Sequence, residues 1–137
     1  MATAGYSGTP LAKKLGIKEG MTVALIGAPD HFVALLDPIP DAVQFKHSLR
    51  GKCDVAIAFF DRESALKKRL PALAKAIFPN GGLWLAWPKK SSSIETDLSG
   101  GSIRQQGQAA GLVDVKVCAI DNDWSGHRFC YRLKERG

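Results

Sequence analysis

Three short runs are apolar at every position or nearly so: Met21 to Ile26, Asp54 to Phe60 (DVAIAFF) and Leu83 to Trp87. A strand with one solvated face alternates apolar and polar residues, so continuous runs of this length predict strands buried on both faces of a sheet. After the second run the period changes. Leu66, Leu70, Leu73 and Ile77 stand at i, i+4, i+7 and i+11, one stripe of a helix. Pro71 lies inside that stripe and predicts a kink or a fresh helical start. Asn80-Gly81-Gly82 then turns the chain into the third run. Strands alternating with helices predict parallel strands joined by right-handed crossovers.

The flanking elements are shorter. Thr9-Pro10 predicts a helix start, with Thr9 as cap, Pro10 at the first helical position and Gly16 closing the helix. Asp30 stands where it would cap a second short helix carrying Phe32, Val33, Leu35 and Leu36, stopped by Pro38. Val43 to Phe45 predicts a brief strand. Beyond the polar loop Lys89 to Gly101, a helix is expected from Ser102 to Ala110, with Gly107 marking close packing on the sheet and Gly111 ending it. Val115 to Ile120 and Arg128 to Leu133 predict an antiparallel hairpin around the loop Asp121 to His127. Symmetry about Trp124 would set Cys118 opposite Cys130. The expected fold class is α/β, a three-layer, mostly parallel sheet with a C-terminal antiparallel hairpin, in one domain over residues 1–137.

The chain has 137 residues, 45% of them hydrophobic, which gives room for one domain and its core. No apolar run approaches the ~18 residues of a membrane span, and the first twenty residues lack the apolar stretch of a secretory signal, so a cytoplasmic protein without membrane contact is expected. Cys53, Cys118 and Cys130 are an odd number without CxxC spacing, and His31, His47 and His127 are scattered. Neither a disulfide framework nor a metal site is indicated. A formal charge of +6 favours anionic partners, either small phosphate-bearing ligands or nucleic acid. The basic residues are nevertheless dispersed: Lys13, Lys14, Lys67, Lys68 and Arg69 read as solvated helix faces, and no RNA-binding or zinc-finger signature accompanies them. Nothing in the pattern indicates an oligomeric state.

Leu15 to Gly27 (LGIKEGMTVALIG) and Leu70 to Trp87 (LPALAKAIFPNGGLWLAW) resemble two segments of class I S-adenosylmethionine-dependent methyltransferases. These are the entry to the first strand and the helix, glycine turn and fifth strand. The closing helix and hairpin are similar to the end of that fold, so the resemblance covers most of the chain, with a stretch missing from its middle. It implies a truncated Rossmann-like fold. More narrowly, Tyr6 to Ile17 (YSGTPLAKKLGI), Trp87-Pro88-Lys89-Lys90 and Trp124-Ser125-Gly126 are similar to an uncharacterised bacterial family defined as a domain of unknown function, which brings no activity with it.

The methyltransferase motif after the first strand resembles acidic-x-Gly-x-Gly-x-Gly, whose glycines admit the cofactor. Here Gly27-Ala28-Pro29-Asp30 keeps one glycine, Pro29 removes a backbone donor, and an apolar strand residue stands at the acidic position. Lys46 and His47 occupy the place of the carboxylate that would accept from ribose hydroxyls. On these departures the sequence predicts no cofactor.

Ligands of open parallel sheets bind beyond the carboxyl ends of the strands. That rule selects Gly27, Ala28 and Asp30 after the first strand, Asp61 and Arg62 after the second run, and Lys89 and Lys90 after the third. Two lysines and an arginine among two carboxylates suit an anion, with Trp87 as a stacking face. Trp124, in the expected hairpin loop, either waits for a partner or packs, with Tyr6 as a candidate neighbour. Ser125 and His127 lie two apart like a nucleophile and base, but no third residue orients them. The leading expectation is a non-enzymatic or degenerate Rossmann-like binding module for a small anionic ligand or acidic partner. The alternative is a minimal S-adenosylmethionine-dependent methyltransferase-like enzyme, and a weak nucleic-acid binder comes third.

Overall fold

The computed structural model describes residues 9–135. Its elements run α1 (Leu11–Lys14), β1 (Thr22–Ile26), α2 (Phe32–Leu35), β2 (Gln44–Lys46), β3 (Val55–Phe59), α3 (Glu63–Ile77), β4 (Gly82–Pro88), α4 (Gly100–Ala109), β5 (Val113–Ala119) and β6 (Trp124–Cys130). The strands form one sheet in the order β2-β1-β3-β4-β6-β5. The first four are parallel, and β6 returns antiparallel between β4 and β5.

The three continuous runs become β1, β3 and β4 at the centre, and the architecture explains why they are apolar throughout. Alternate residues Ala24, Ile26, Ala56, Ala58, Leu83 and Leu85 pack with Leu66, Leu70, Leu73 and Ile77 of α3 and Ile103 of α4. The intervening Val23, Leu25, Val55, Ile57, Trp84 and Ala86 pack on the other face with Ala12 and Leu15 near α1 and Phe32 and Leu36 near α2. The Trp84 indole N–H donates to the Leu15 carbonyl at 2.9 Å, tying the end of α1 to the sheet.

Pro71 neither kinks α3 enough to divide it nor starts it afresh: one helix runs from Glu63 to Ile77. A helical proline costs about 3 kcal/mol, whereas each large apolar side chain fully buried gives roughly 1.5–3 kcal/mol. Leu66, Leu70, Leu73 and Ile77 are all buried while Pro71 sits on the exposed side, so packing outweighs the lost hydrogen bond. Two expected caps also differ. Pro10, not Thr9, is in the cap position of α1, and His31, not Asp30, precedes α2; neither makes a side-chain cap bond. At α4 Ser99 accepts from the Ser102 N–H at 3.2 Å while its own N–H donates to Ser102 Oγ at 2.9 Å. Gly107 packs as anticipated, since a Cβ there would collide with the Phe129 ring.

The hairpin turn is tighter than expected. The Asp121 carboxylate accepts from the backbone N–H groups of Asp123 at 2.8 Å and Trp124 at 2.9 Å, drawing Trp124, Ser125 and His127 into β6 instead of a loop. Its symmetry centre moves back to residue 122. Cys118 therefore faces Gly126, and Cys130 faces Val113, so the expected Cys118–Cys130 apposition does not occur. None of the three cysteines forms a disulfide. Near its start β5 carries a bulge, with Asp114 opposite Phe129 and Lys116 opposite Arg128, which leaves Val115 as the extra residue. No helix among the described residues is long and apolar enough to cross a membrane.

Candidate functional site

At the carboxyl end of β1 the chain leaves the sheet through Gly27, whose φ of +68° is open to glycine and strained for other residues. A Cβ there would also stand 3.0 Å from the Phe59 carbonyl oxygen of the neighbouring strand. This turn floors a cavity of about 490 Å³ lined by Gly27, Ala28, Pro29 and Asp30, by Val33 of α2, by His47 just beyond β2 and by Arg69 of α3. One carboxylate, one imidazole and one guanidinium thus meet over an apolar wall. The volume is within the roughly 300–1,000 Å³ of small-ligand sites.

A second, smaller cavity of about 280 Å³ opens at the carboxyl end of β4. Trp87, Lys89 and Lys90 line one side, and Ser99, Gly100 and Ser125 line the other. The loop that carries it is fastened from two directions. The Lys89 N–H donates to the Asp123 carbonyl at 2.8 Å, and Ser92 Oγ donates to the Asp123 carboxylate at 2.9 Å.

The sequence-selected residues divide between these places. Gly27 and Asp30 reach the first cavity, and Lys89 and Lys90 reach the second. Asp61 and Arg62 are exposed and line neither. The Asp97 carboxylate accepts from the Glu63 N–H at 2.7 Å and fills the anion position at the start of α3. Trp124 also lies outside both cavities. It is half-buried, edge-on to Phe59 with ring centres 5.1 Å apart, and opposite Pro88 in the sheet. Its expected neighbour, Tyr6, lies outside the described residues.

Arg69 escaped the strand-end rule because it is two turns into α3, beside the buried stripe rather than at a loop. Its position one residue before buried Leu70 was the available signal. His127 is buried in β6, stacked on Phe129, with Nε2 3.6 Å from the Asp114 carboxylate. Burial lowers its pKa, and Asp114 only partly compensates. Burial places the ring in the core, and among the described residues it makes no hydrogen bond to Ser125. His31 pairs with Asp121 at 2.9 Å, joining the entry of α2 to the hairpin turn. Burial raises the Asp121 pKa, but the bonds from His31, Asp123 and Trp124 outweigh this and hold it below the usual carboxylate value. No group of three metal-ligating side chains occurs among the described residues.

Solved structures share this arrangement of sheet and helices. A SAM-dependent methyltransferase from Aquifex aeolicus superposes with a TM-score of 0.61 at 16% identity, covering 87% of this chain and 86% of that one. A DhpI–SAH complex gives 0.63 at 9% identity, covering 90% and 83%. Magnesium protoporphyrin IX methyltransferase from Synechocystis, with bound SAH, gives 0.59 at 12% identity, covering 89% and 78%. The fold is methyltransferase-like. No family model matches the chain, and no curated protein matches it. Of the sequence-based readings, the methyltransferase-like alternative is the one whose fold these neighbours share.

Proposed function

We propose that this chain is a minimal methyltransferase-like enzyme that holds S-adenosylmethionine in the cavity after β1. The observation that carries the reading is Gly27. Its positive φ, and the 3.0 Å at which a Cβ there would stand from the Phe59 carbonyl oxygen, keep a side chain off this position, which leaves bare backbone on the cavity floor. This is the steric service that the richer glycine motif performs elsewhere.

The donor set fits the cofactor's charges. Arg69 offers a planar guanidinium to its carboxylate, Asp30 offers a carboxylate to its ammonium group, and His47 stands in for the missing acid toward a ribose hydroxyl. When bound, the cofactor supplies a methyl group activated by a sulfonium. The chain's own part is to bind, orient and keep water away, with Ala28, Pro29 and Val33 as the apolar wall. Lys89 and Lys90, beside the second strand-end cavity, suit an anionic methyl acceptor.

A second reading rests on Arg69 and His47: the same cavity serves a non-enzymatic module that takes a small anion. Thermal unfolding with S-adenosylmethionine, its demethylated product, phosphate and nucleotides separates the two. A ligand at ~100 times its dissociation constant stabilises the folded state by about 2.7 kcal/mol, which such a scan resolves. The enzyme reading expects a saturable rise with the cofactor and its product that Gly27→Val removes. A rise with phosphate or nucleotides alone supports the anion module, and no rise with the cofactor or its product overturns methyl transfer. The cytoplasm remains the proposed compartment, and the three motif segments from Tyr6, Trp87 and Trp124 support membership of the uncharacterised bacterial family.

A further inference from the structure

A cavity larger than either strand-end site lies away from both. It is a groove of about 570 Å³ between α3 and α4, reaching the segment just after β6. Small residues make it: Ala74 on one helix and Ala109 and Ala110 on the other leave a space that larger side chains would have closed. Leu70 and Ala74 form the apolar floor. Phe78 and Tyr131 stand at one end, ring centres 5.0 Å apart and nearly perpendicular, and the Tyr131 hydroxyl donates to the Ala74 carbonyl at 2.7 Å. The phenol is thereby anchored and turns its ring, not its hydroxyl, to the groove. Burial, then nearby Glu135, pushes its pKa up, so it stays neutral.

Charge is unevenly distributed along the groove. At the upper end Glu63 pairs with Lys67 at 3.2 Å and accepts from Gln106 at 3.3 Å, so that end is electrically closed. At the lower end Lys52 lies over the Phe78 ring, 5.2 Å from its centre, and Lys75 reaches the same groove from the last turn of α3. Neither makes an ion pair among the described residues. Two cations at one end of an apolar, aromatic-walled groove complement one kind of small molecule.

We propose that the groove between α3 and α4 is a binding site for a small amphiphilic anion. Its apolar body lies along Leu70, Ala74 and Ala110, and its carboxylate is met by Lys52 and Lys75 beside Phe78. The site is separate from the cavity assigned to the cofactor and stands whether or not that assignment does. It is of small-ligand size, apolar in its walls, with few polar groups at a defined place, as such sites are. Two exposed lysine–carboxylate pairs should together strengthen binding roughly two- to thirtyfold over an uncharged analogue.

Calorimetric titration of the whole chain with decanoate, decanol and decyltrimethylammonium, each below its micelle concentration, tests this. Decanoate should bind at one site, roughly two- to thirtyfold tighter than decanol, with the cation weakest. Lys52→Gln/Lys75→Gln should bring decanoate down to the level of decanol. Ala109→Trp, an exposed helix position, should abolish binding of both while circular dichroism shows the fold retained. Equal affinity for all three probes, binding unaffected by Ala109→Trp, saturation that requires two chains per complex, or no decanoate binding at all would overturn the proposal.

Discussion

His127 is the residue where burial and ionisation are most directly opposed. Its folded-state pKa is below the ordinary 6.5, because burial disfavours the imidazolium more than Asp114 favours it. The unfolded chain therefore binds the proton more readily, and stability must fall as pH drops through 6.5 toward the folded pKa, the loss being complete below it. Thermal unfolding between about pH 7.5 and pH 5 should record a falling melting temperature. His127→Phe, which keeps a flat ring against Phe129, should flatten that slope. An unchanged slope would mean that other groups carry it. Asp114 acts in a lower window: its pKa is lowered first by the bond from Gln108, so its contribution is lost only as pH falls through the range below 3.8.

At the scale of elements, α3 is held at its start by a residue 34 positions away, since the Glu63 N–H is answered by Asp97 and not by a neighbour. Removing an N-terminal capping oxygen typically costs about 0.5–2 kcal/mol. Asp97→Ala should accordingly lower the melting temperature, and Asp97→Asn should recover much of it, because an amide oxygen still accepts. Equal losses in both would point to the charge. This bond also explains where the sequence was readable and where it was not. Apolar runs such as DVAIAFF announce strands through local composition. A cap that bridges distant loops has no local signature, so Asp61 and Arg62 looked available when the position was already filled. Likewise β6 hides behind Ser125, Gly126 and His127, polar or small residues that burial and the Asp121 turn draw into the sheet. Lys46 and His47 were visible as the replacement for an acid; that His47 shares a cavity with Arg69 depends on packing across three elements.

Across the whole molecule, two cavities open at the carboxyl ends of the parallel strands, apart from the groove between α3 and α4. Lys89 and Lys90 belong to the strand-end side, and Lys90 is exposed and Lys89 half-exposed, so substituting both should change stability by within ~0.5 kcal/mol. Lys89→Ala/Lys90→Ala should therefore melt with the wild type yet lose affinity for phosphate and anionic acceptors in titrations at low salt. A joint loss of stability and binding would assign them to the framework of the loop instead. Gly27 is the point where fold and proposed chemistry share one residue.

The bulge at Val115 has a consequence for how this sheet ends. β5 is an outer strand, and Val115 and Val117 are exposed there at 51% and 57%. A straight strand so furnished would offer its free amide row to a second molecule and invite strand-by-strand stacking. The extra residue twists that row out of register, and Lys116 sets a charge beside it, so an approaching strand finds neither a regular ladder nor an uninterrupted apolar strip. The valines alternate regularly in the sequence at 113, 115 and 117, and it is the bulge among them that stops the sheet's growth.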